Sequence, residues 1–131
     1  METETQHLST YIDRSATAVY EYASDPANLP DWAAGLAGSI DLVGGHWVSN
    51  SPLGRITIEM AEPNNFGVLD HWVTTPEGDR HYNPMRVIEH EGGCEVVFTL
   101  RRQPGMSDDA FEADAIAIVT DLATLKGILE G

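Results

Sequence analysis

The residues of this chain that are best suited to chemistry lie in one short stretch, GVLDHWVTTPEGDRHYNPMRV, at residues 67–87. His71, His81 and Asn83 occur there within a pattern typical of two strands joined by a turn. An imidazole and an amide can bind a carbonyl, a hydroxyl or water, and an imidazole can also act as a general base. Their function depends on whether they share one face of the sheet.

The turn between the two strands predicts that face. In TPEGD, the positions of proline and glycine are typical of a three-residue hairpin loop, which pairs Thr75 with Asp79. Counting back from that pair places six residues opposite one another on the inner face, namely Val73 with His81, His71 with Asn83, and Leu69 with Met85.

The other face receives the more polar set, and we expect Asp70 and Arg86 to lie in solvent there. A loop of even length would shift the register by one residue and turn Asp70 and Trp72 inward. We favour the first register because it keeps Asp70 and Arg86 out of the apolar face. Asp70 and His71 are neighbours in one strand and point to opposite faces, so they are not an acid–base dyad.

The next turn, HEGG, is interpreted as a four-residue loop and extends the same wall. It pairs Val87 with Val96, Met85 with Phe98 and Asn83 with Leu100. His71 is then either a core histidine or a residue that contacts a ligand. As a core histidine it would be hydrogen-bonded to Asn83, to a backbone carbonyl or to water. A role as general base would require that the imidazole lies within hydrogen-bond distance of a substrate. His71 and His81 have no third ligand on this face, so we predict no metal and no other cofactor.

Before this wall, the pattern predicts a strand at residues 7–13 and two short helices. Ser15 is the predicted N-cap of the first helix, and Asp25 followed by Pro26 begins the second, which ends near Trp32 at the break GLAGS. Six further strands follow up to about residue 103, separated by turns such as SPLG.

The last element is a long amphipathic helix with Ser107 as N-cap and Asp108 and Asp109 in its first turn. Its apolar stripe consists of Phe111, Ala115, Ile118, Leu122, Leu125 and Leu129, and must cover the buried sheet face. We expect the charged residues Glu112, Asp114, Asp121 and Lys126 to lie mostly away from that stripe.

Composition limits the classes of partner. Twenty-one acidic and seven basic residues give a formal charge of −14, which excludes nucleic acid, because its phosphates are bound by Lys and Arg. No apolar run suits membrane insertion and no leader precedes the first strand, so we expect a cytoplasmic protein. Cys94 is the only cysteine, which rules out an internal disulfide. A chain of 131 residues suits one domain and is compatible with a homodimer.

Three stretches resemble one known group of proteins: AVYEYASDPANLPDW (18–32), FGVLDHWVTTPEG (66–78) and residues 83–130 from NPMRVIEH to GILE. With the order of elements, they make the chain similar to the SRPBCC superfamily, the START-like helix-grip domains. The last two stretches resemble a bacterial subgroup described as polyketide-cyclase-like.

The resemblance implies an α+β, helix-grip fold over residues 1–131. A curved antiparallel sheet of six to seven strands would surround the C-terminal helix, with two short helices after the first strand and a ligand cavity between sheet and helix. Trp32 would lie at the entrance, either gating a ligand or filling that end of the core. The predicted ligand-binding residues are Trp32, Ile56, Ile58, Leu69, His71, His81, Asn83, Met85, Phe98, Phe111, Ala115 and Ile118.

Three functions follow from the resemblance and stay open at this point. The first is a binding or carrier protein for a small hydrophobic molecule, such as an aromatic or polyketide-like one. The second is an aromatase/cyclase-type enzyme that uses the same cavity, with His71 as the candidate catalytic residue. The third is a protein-interaction module of the chaperone-activator type, for which Trp72 would have to be exposed.

Overall fold

The computed structural model describes residues 4–33, 38–51 and 54–131, and within them the chain has the predicted α+β architecture. Its strands are β1 (Thr5–Ile12), β2 (Asp41–Val43), β3 (His46–Ser51), β4 (Gly54–Met60), β5 (His71–Thr74), β6 (Arg80–Asn83), β7 (Met85–His90) and β8 (Gly93–Arg101). Its helices are α1 (Ala16–Ala23), α2 (Leu29–Trp32) and α3 (Asp108–Glu130), with a 3₁₀ turn (Pro26–Asn28) before α2. Residues 35–37 of the predicted break GLAGS and residues 52–53 of the predicted turn SPLG lie outside the described residues.

The strands form two antiparallel sets that meet where β6 passes into β7. One set has the order β1-β8-β7 and the other runs from β2 to β6 in sequence order, and a bridge between Val68 and Arg86 connects them. The sequence predicts one strand through this junction, but Pro84 interrupts it, because proline has no N–H for the ladder. The carbonyl of Pro84 still accepts a hydrogen bond from Thr99 N at 3.0 Å. The interruption is why the described part of the chain has eight strands where six or seven were expected.

The register predicted for the first hairpin is confirmed. Thr75 N donates to Asp79 O at 2.8 Å, and Gly78 adopts a φ of 91°, as a three-residue loop ending in glycine requires. His71 pairs with Asn83 in the β5–β6 ladder.

The register of the second hairpin is also confirmed, since Met85 pairs with Phe98. Its loop is shorter than the predicted four residues, because the ladder continues to the pair His90 and Gly93. The predicted pairing of Asn83 with Leu100 is not part of this ladder, which begins at Met85 after the interruption.

Helices α1 and α3 begin at the predicted caps Ser15 and Ser107, and the predicted cap Asp25 begins the 3₁₀ turn that precedes α2. Ser15, Asp25 and Ser107 each accept a side-chain hydrogen bond from a backbone N–H two or three residues later, at 3.0–3.1 Å. None of the described helices is long and apolar enough to cross a membrane.

Helix α3 is tied to the rest of the fold near both ends. At its N-terminal end, Arg102 forms an ion pair with Asp108 at 2.6 Å. Toward its C-terminal end, Lys126 Nζ donates to the Tyr11 carbonyl of β1 at 2.5 Å. These contacts fix the path of the helix across the strands, and no hydrogen bond or ion pair joins the middle of the helix to the described residues of the strands.

The expectation that Asp70 lies in solvent is wrong, because its side chain is buried, with 7% of the residue exposed. Its carboxylate accepts hydrogen bonds from Tyr82 OH at 2.5 Å, from Met85 N at 2.9 Å and from the Arg86 guanidinium. Burial alone would raise the pKa of Asp70, but these three bonds outweigh it and lower the pKa. Strand alternation predicted the correct face for Asp70; it did not predict the cover that Tyr82 and Arg86 provide.

Replacing Asp70 should therefore destabilise the fold. We expect Asp70→Ala to lower the free energy of unfolding by about 2–4 kcal/mol, because a buried N–H and a guanidinium lose their acceptor. Tyr82→Phe removes a single bond to the same carboxylate and should lower it by about 1 kcal/mol. Urea denaturation at pH 7 measures both values.

The effect of Asp70→Ala should also depend on pH. Because the folded pKa is depressed, the stabilisation by Asp70 is fully present above its unfolded pKa, about 3.9, and is lost as the pH falls through the folded value. A difference between wild type and Asp70→Ala that stays below about 0.5 kcal/mol at pH 7 would contradict the role given to this carboxylate.

Candidate functional site

A cavity of about 280 Å³ lies between the strands and the middle of α3. Its wall is mostly apolar and includes Leu29, Ala33, Phe98, Leu100, Ala117, Ile118 and Leu122. The polar members of the wall come from three elements, and they are Trp32 of α2, His71 and Asn83 of the first hairpin, and Asp114 and Asp121 of α3. An apolar concavity with a few convergent polar groups has the composition of a small-molecule site.

The cavity exists because the middle of α3 does not pack closely on the strands. Phe111 is buried near the start of the helix, and Leu122, Leu125 and Leu129 are buried toward its end. No side chain between Phe111 and Leu122 is fully buried. The space that these side chains leave under the helix is the cavity.

His71 presents one free nitrogen in this wall. The side chain is buried, and its Nδ1 lies 3.1 Å from the Leu69 carbonyl oxygen, which can only accept, so the ring hydrogen is on Nδ1. Burial lowers the pKa of His71 and outweighs both that bond and the charge of Asp70, which leaves the ring neutral near pH 7. Nε2 has no partner among the described residues and is available as an acceptor or a base.

Trp32 supplies an unpartnered donor. Only 6% of the residue is exposed, and its Nε1 is one of two buried side-chain polar atoms without a hydrogen bond in the described part of the chain. The other, Ser49 Oγ, is not part of the cavity wall. A buried N–H without a partner costs free energy, and an acceptor on a bound molecule would remove that cost.

Asn83 pairs with His71 across the hairpin, and its side-chain amide has no partner among the described residues. Of the partners considered for His71, the structure has a backbone carbonyl, that of Leu69, and not the side chain of Asn83. Both the amide and the imidazole therefore keep free hydrogen-bonding capacity toward the cavity.

Asp114 and Asp121 were expected mostly away from the apolar stripe, and the structure corrects this. Both line the cavity, and neither forms a hydrogen bond or ion pair with a described residue. Burial raises the pKa of Asp114, and it raises the pKa of Asp121 to about 6. The sequence spacing could have predicted this position. Asp114 lies four residues before Ile118 and Asp121 lies three after it, so all three lie on one face of the helix.

The predicted site residues divide into two groups. Five of them line the cavity, and they are Trp32, His71, Asn83, Phe98 and Ile118. Their contact with a ligand remains a prediction. No three His, Cys, Asp or Glu side chains of the described ranges are grouped so that they could hold a metal ion.

The other predicted site residues lie elsewhere. Four are at most 2% exposed and belong to the packed core, and these are Ile56, Ile58, Leu69 and Met85. His81 is half-buried nearer the hairpin tip and is not part of the cavity wall. Phe111 and Ala115 line a separate groove between β1 and α3, because they lie toward the other side of the helix stripe. Inner-face position alone did not distinguish core from cavity.

Comparisons with known proteins identify the fold. No family model and no curated protein matches the chain. Among solved structures, Ara h 8.0201 is 11% identical with a TM-score of 0.74, covering 98% of both chains. The Aha1 dimer from Colwellia psychrerythraea is 16% identical with a TM-score of 0.73, covering 97% of this chain and 96% of that one. Truncated norcoclaurine synthase from Thalictrum flavum is 15% identical with a TM-score of 0.60, covering 88% and 92%.

These likenesses extend over nearly the whole chain and agree with the strand order and the long C-terminal helix. The protein thus has the helix-grip architecture, an α+β fold with antiparallel strands packed against that helix. More specifically, it has the fold of the SRPBCC superfamily, as the sequence resemblance implied.

The cavity makes a testable prediction about Asp121. Its carboxyl should titrate near pH 6, because the apolar wall disfavours the charged form, and about a tenth of the molecules should hold the proton at pH 7. Carboxyl-carbon NMR measures the midpoint, and loss of the signal in Asp121→Asn assigns it.

Stability should change in the same pH range. Because the folded pKa is raised, the folded state loses stability as the pH rises from about 4 to about 6, and Asp121→Asn should escape that loss. Allowing for partial exposure, we expect the variant to gain on the order of 1 kcal/mol relative to wild type across this range. A midpoint near 4, or a pH-independent difference, would contradict the environment described for Asp121.

Proposed function

We propose that the protein binds a small, largely apolar molecule in the cavity between the strands and α3, with the polar end of the molecule at His71, Asn83 and Trp32. The observation that supports this proposal is that two unpartnered nitrogens of opposite hydrogen-bonding type, each on a buried side chain, share one apolar wall. Trp32 Nε1 only donates, and His71 Nε2, in the tautomer fixed by Leu69, only accepts.

A ligand hydroxyl matches the two nitrogens in hydrogen-bonding type, because a hydroxyl oxygen can accept from an N–H and its hydrogen can be donated to an imidazole nitrogen. The size of the cavity, about 280 Å³, is just below the usual range for small-molecule pockets and suits one or two fused rings rather than a long acyl chain. Polar groups in an otherwise apolar wall orient a ligand as well as bind it.

A second candidate function uses the same residues as an enzyme of the aromatase/cyclase type. His71 favours it, since a neutral imidazole with a fixed tautomer and a free Nε2 can take a proton from a carbon next to a carbonyl. Asp121 in its acid form can donate a hydrogen bond to that carbonyl oxygen.

A protein-interaction module receives less support. Trp72 would need to be exposed, but its ring is half-buried, stacked on Tyr82 at 5.2 Å, with the Arg80 guanidinium 5.1 Å from its centre. The Aha1 structure is a dimer, and a dimer of the present chain remains a proposal.

Filling the cavity should weaken binding. We expect Ala117→Trp to weaken the affinity for 1-naphthalenemethanol, a neutral bicyclic alcohol, by at least about tenfold, because the indole would occupy the space under α3. Fluorescence titration of the probe measures the affinity, with circular dichroism to verify folding.

Ala123→Trp is the matched control. Ala123 is exposed on the same helix and is not part of the cavity wall, so this variant should bind the probe as wild type does. Equal affinities for the two variants would place binding outside the cavity and contradict the proposal.

Mutation of the polar end separates carrier from enzyme. If the protein is an enzyme, His71→Ala should lower turnover of a cyclisable poly-β-ketone by about 10²–10⁴-fold while changing its affinity little, because a general base acts mainly in the transition state. Asn83→Ala provides the comparison at the paired position. A carrier shows no turnover with wild type, and His71→Ala then weakens binding alone.

A further inference from the structure

The cavity wall contains acidic groups but no cationic group. Asp121 is half-buried among apolar side chains of the wall. Asp114 lies about two turns earlier on the same face of α3 and is exposed, and neither carboxylate has a partner in the described residues. His71, the remaining titratable group of the wall, is neutral near pH 7 because of its burial. The electrostatic potential inside the cavity is therefore set by carboxylates.

The basic residues of the chain cannot neutralise these carboxylates. All seven lie in the described ranges, and none of them lines the cavity. Most are engaged elsewhere, namely Arg14 with Leu129, Arg80 with Glu59, Arg86 with Asp70, Arg102 with Glu4 and Asp108, and Lys126 with Tyr11 and Glu130. The two others, Arg55 and Arg101, are exposed on the strands.

A partly buried carboxylate without a partner is costly, and a cation on a ligand would remove that cost. Conversely, a ligand with a carboxylate or phosphate would be repelled by the same wall. Trp32 Nε1 and the free imidazole nitrogen show that the cavity has unmet polar groups beyond the two acids.

Resting on the function proposed above, we propose that the ligand is a hydrophobic amine, whose protonated nitrogen is bound by Asp121 with Asp114 on the solvent side. Its apolar body lies against Phe98, Leu100 and Ile118, and a hydroxyl, where the ligand has one, lies at the polar end proposed above, with Trp32, His71 and Asn83. Hydrophobic acids are excluded as ligands.

Three probes of one shape and different charge test this proposal. They are 1-naphthylmethylamine, 1-naphthalenemethanol and 1-naphthoate, titrated by fluorescence at pH 7.5 and physiological ionic strength. We expect the amine to bind at least about tenfold more tightly than the alcohol, as a charge-assisted hydrogen bond allows, and the acid to bind most weakly.

Three variants with the same change in net charge locate the effect. Asp121→Asn should reduce the preference for the amine over the alcohol to about threefold or less, and Asp114→Asn should reduce it by a smaller factor. Asp109→Asn alters an exposed residue in the first turn of the same helix, outside the cavity wall, and should keep the full preference. This control is needed because a net charge of −14 gives the protein a weak, non-specific attraction for every cation, which must be separated from binding by Asp121.

The outcomes are distinct for the two proposals. If the alcohol binds and the amine binds no more tightly, the amine proposal is overturned while the binding function stands. If the amine is preferred equally in wild type, Asp121→Asn and Asp109→Asn, the preference is general attraction and the proposal is likewise overturned. If none of the three probes binds, the proposed binding function fails and the amine proposal fails with it.

Discussion

The carboxylate of Asp70 is the interaction on which the arrangement of the site depends. It accepts hydrogen bonds from Tyr82, Met85 and Arg86, which lie on both sides of Pro84. That proline marks the point where the chain leaves one set of strands for the other, so the carboxylate holds the junction from its outer side. Residue 71 follows Asp70 in the strand and points the opposite way, and a fixed Asp70 therefore fixes the imidazole of the cavity wall.

The cavity itself depends on how α3 is held. Ion pairs and hydrogen bonds anchor the helix through Arg102 near its start and Lys126 near its end. With both ends fixed, the small side chain of Ala117 and the polar Asp114 and Asp121 leave the space beneath the middle of the helix unfilled. Larger apolar side chains at these positions would close it, since protein interiors otherwise pack without voids of this size.

Much of this architecture could be predicted from the sequence, because it follows from local rules. Turn residues fixed the register of His71 against Asn83, and caps fixed the starts of the helices. The burial of Asp70 could not be predicted, because strand alternation gives the face of a residue and not what covers that face. The sequence likewise could not predict that Met85 belongs to the packed core while His71 lines the cavity. Both side chains point inward, and only the path of α3 distinguishes them.

The two sides of the β5–β6 hairpin also differ in charge. On the outer side, the charge of Asp70 is balanced by Arg86 at hydrogen-bond contact. On the inner side, burial is the largest influence on His71, and it lowers the pKa despite the neighbouring Asp70. The hairpin therefore contributes shape and neutral hydrogen-bonding groups to the cavity, and α3 contributes its charge. Since Asp114 and Asp121 are on the helix alone, substitutions there can change which ligand charge is accepted without disturbing the junction that positions the imidazole.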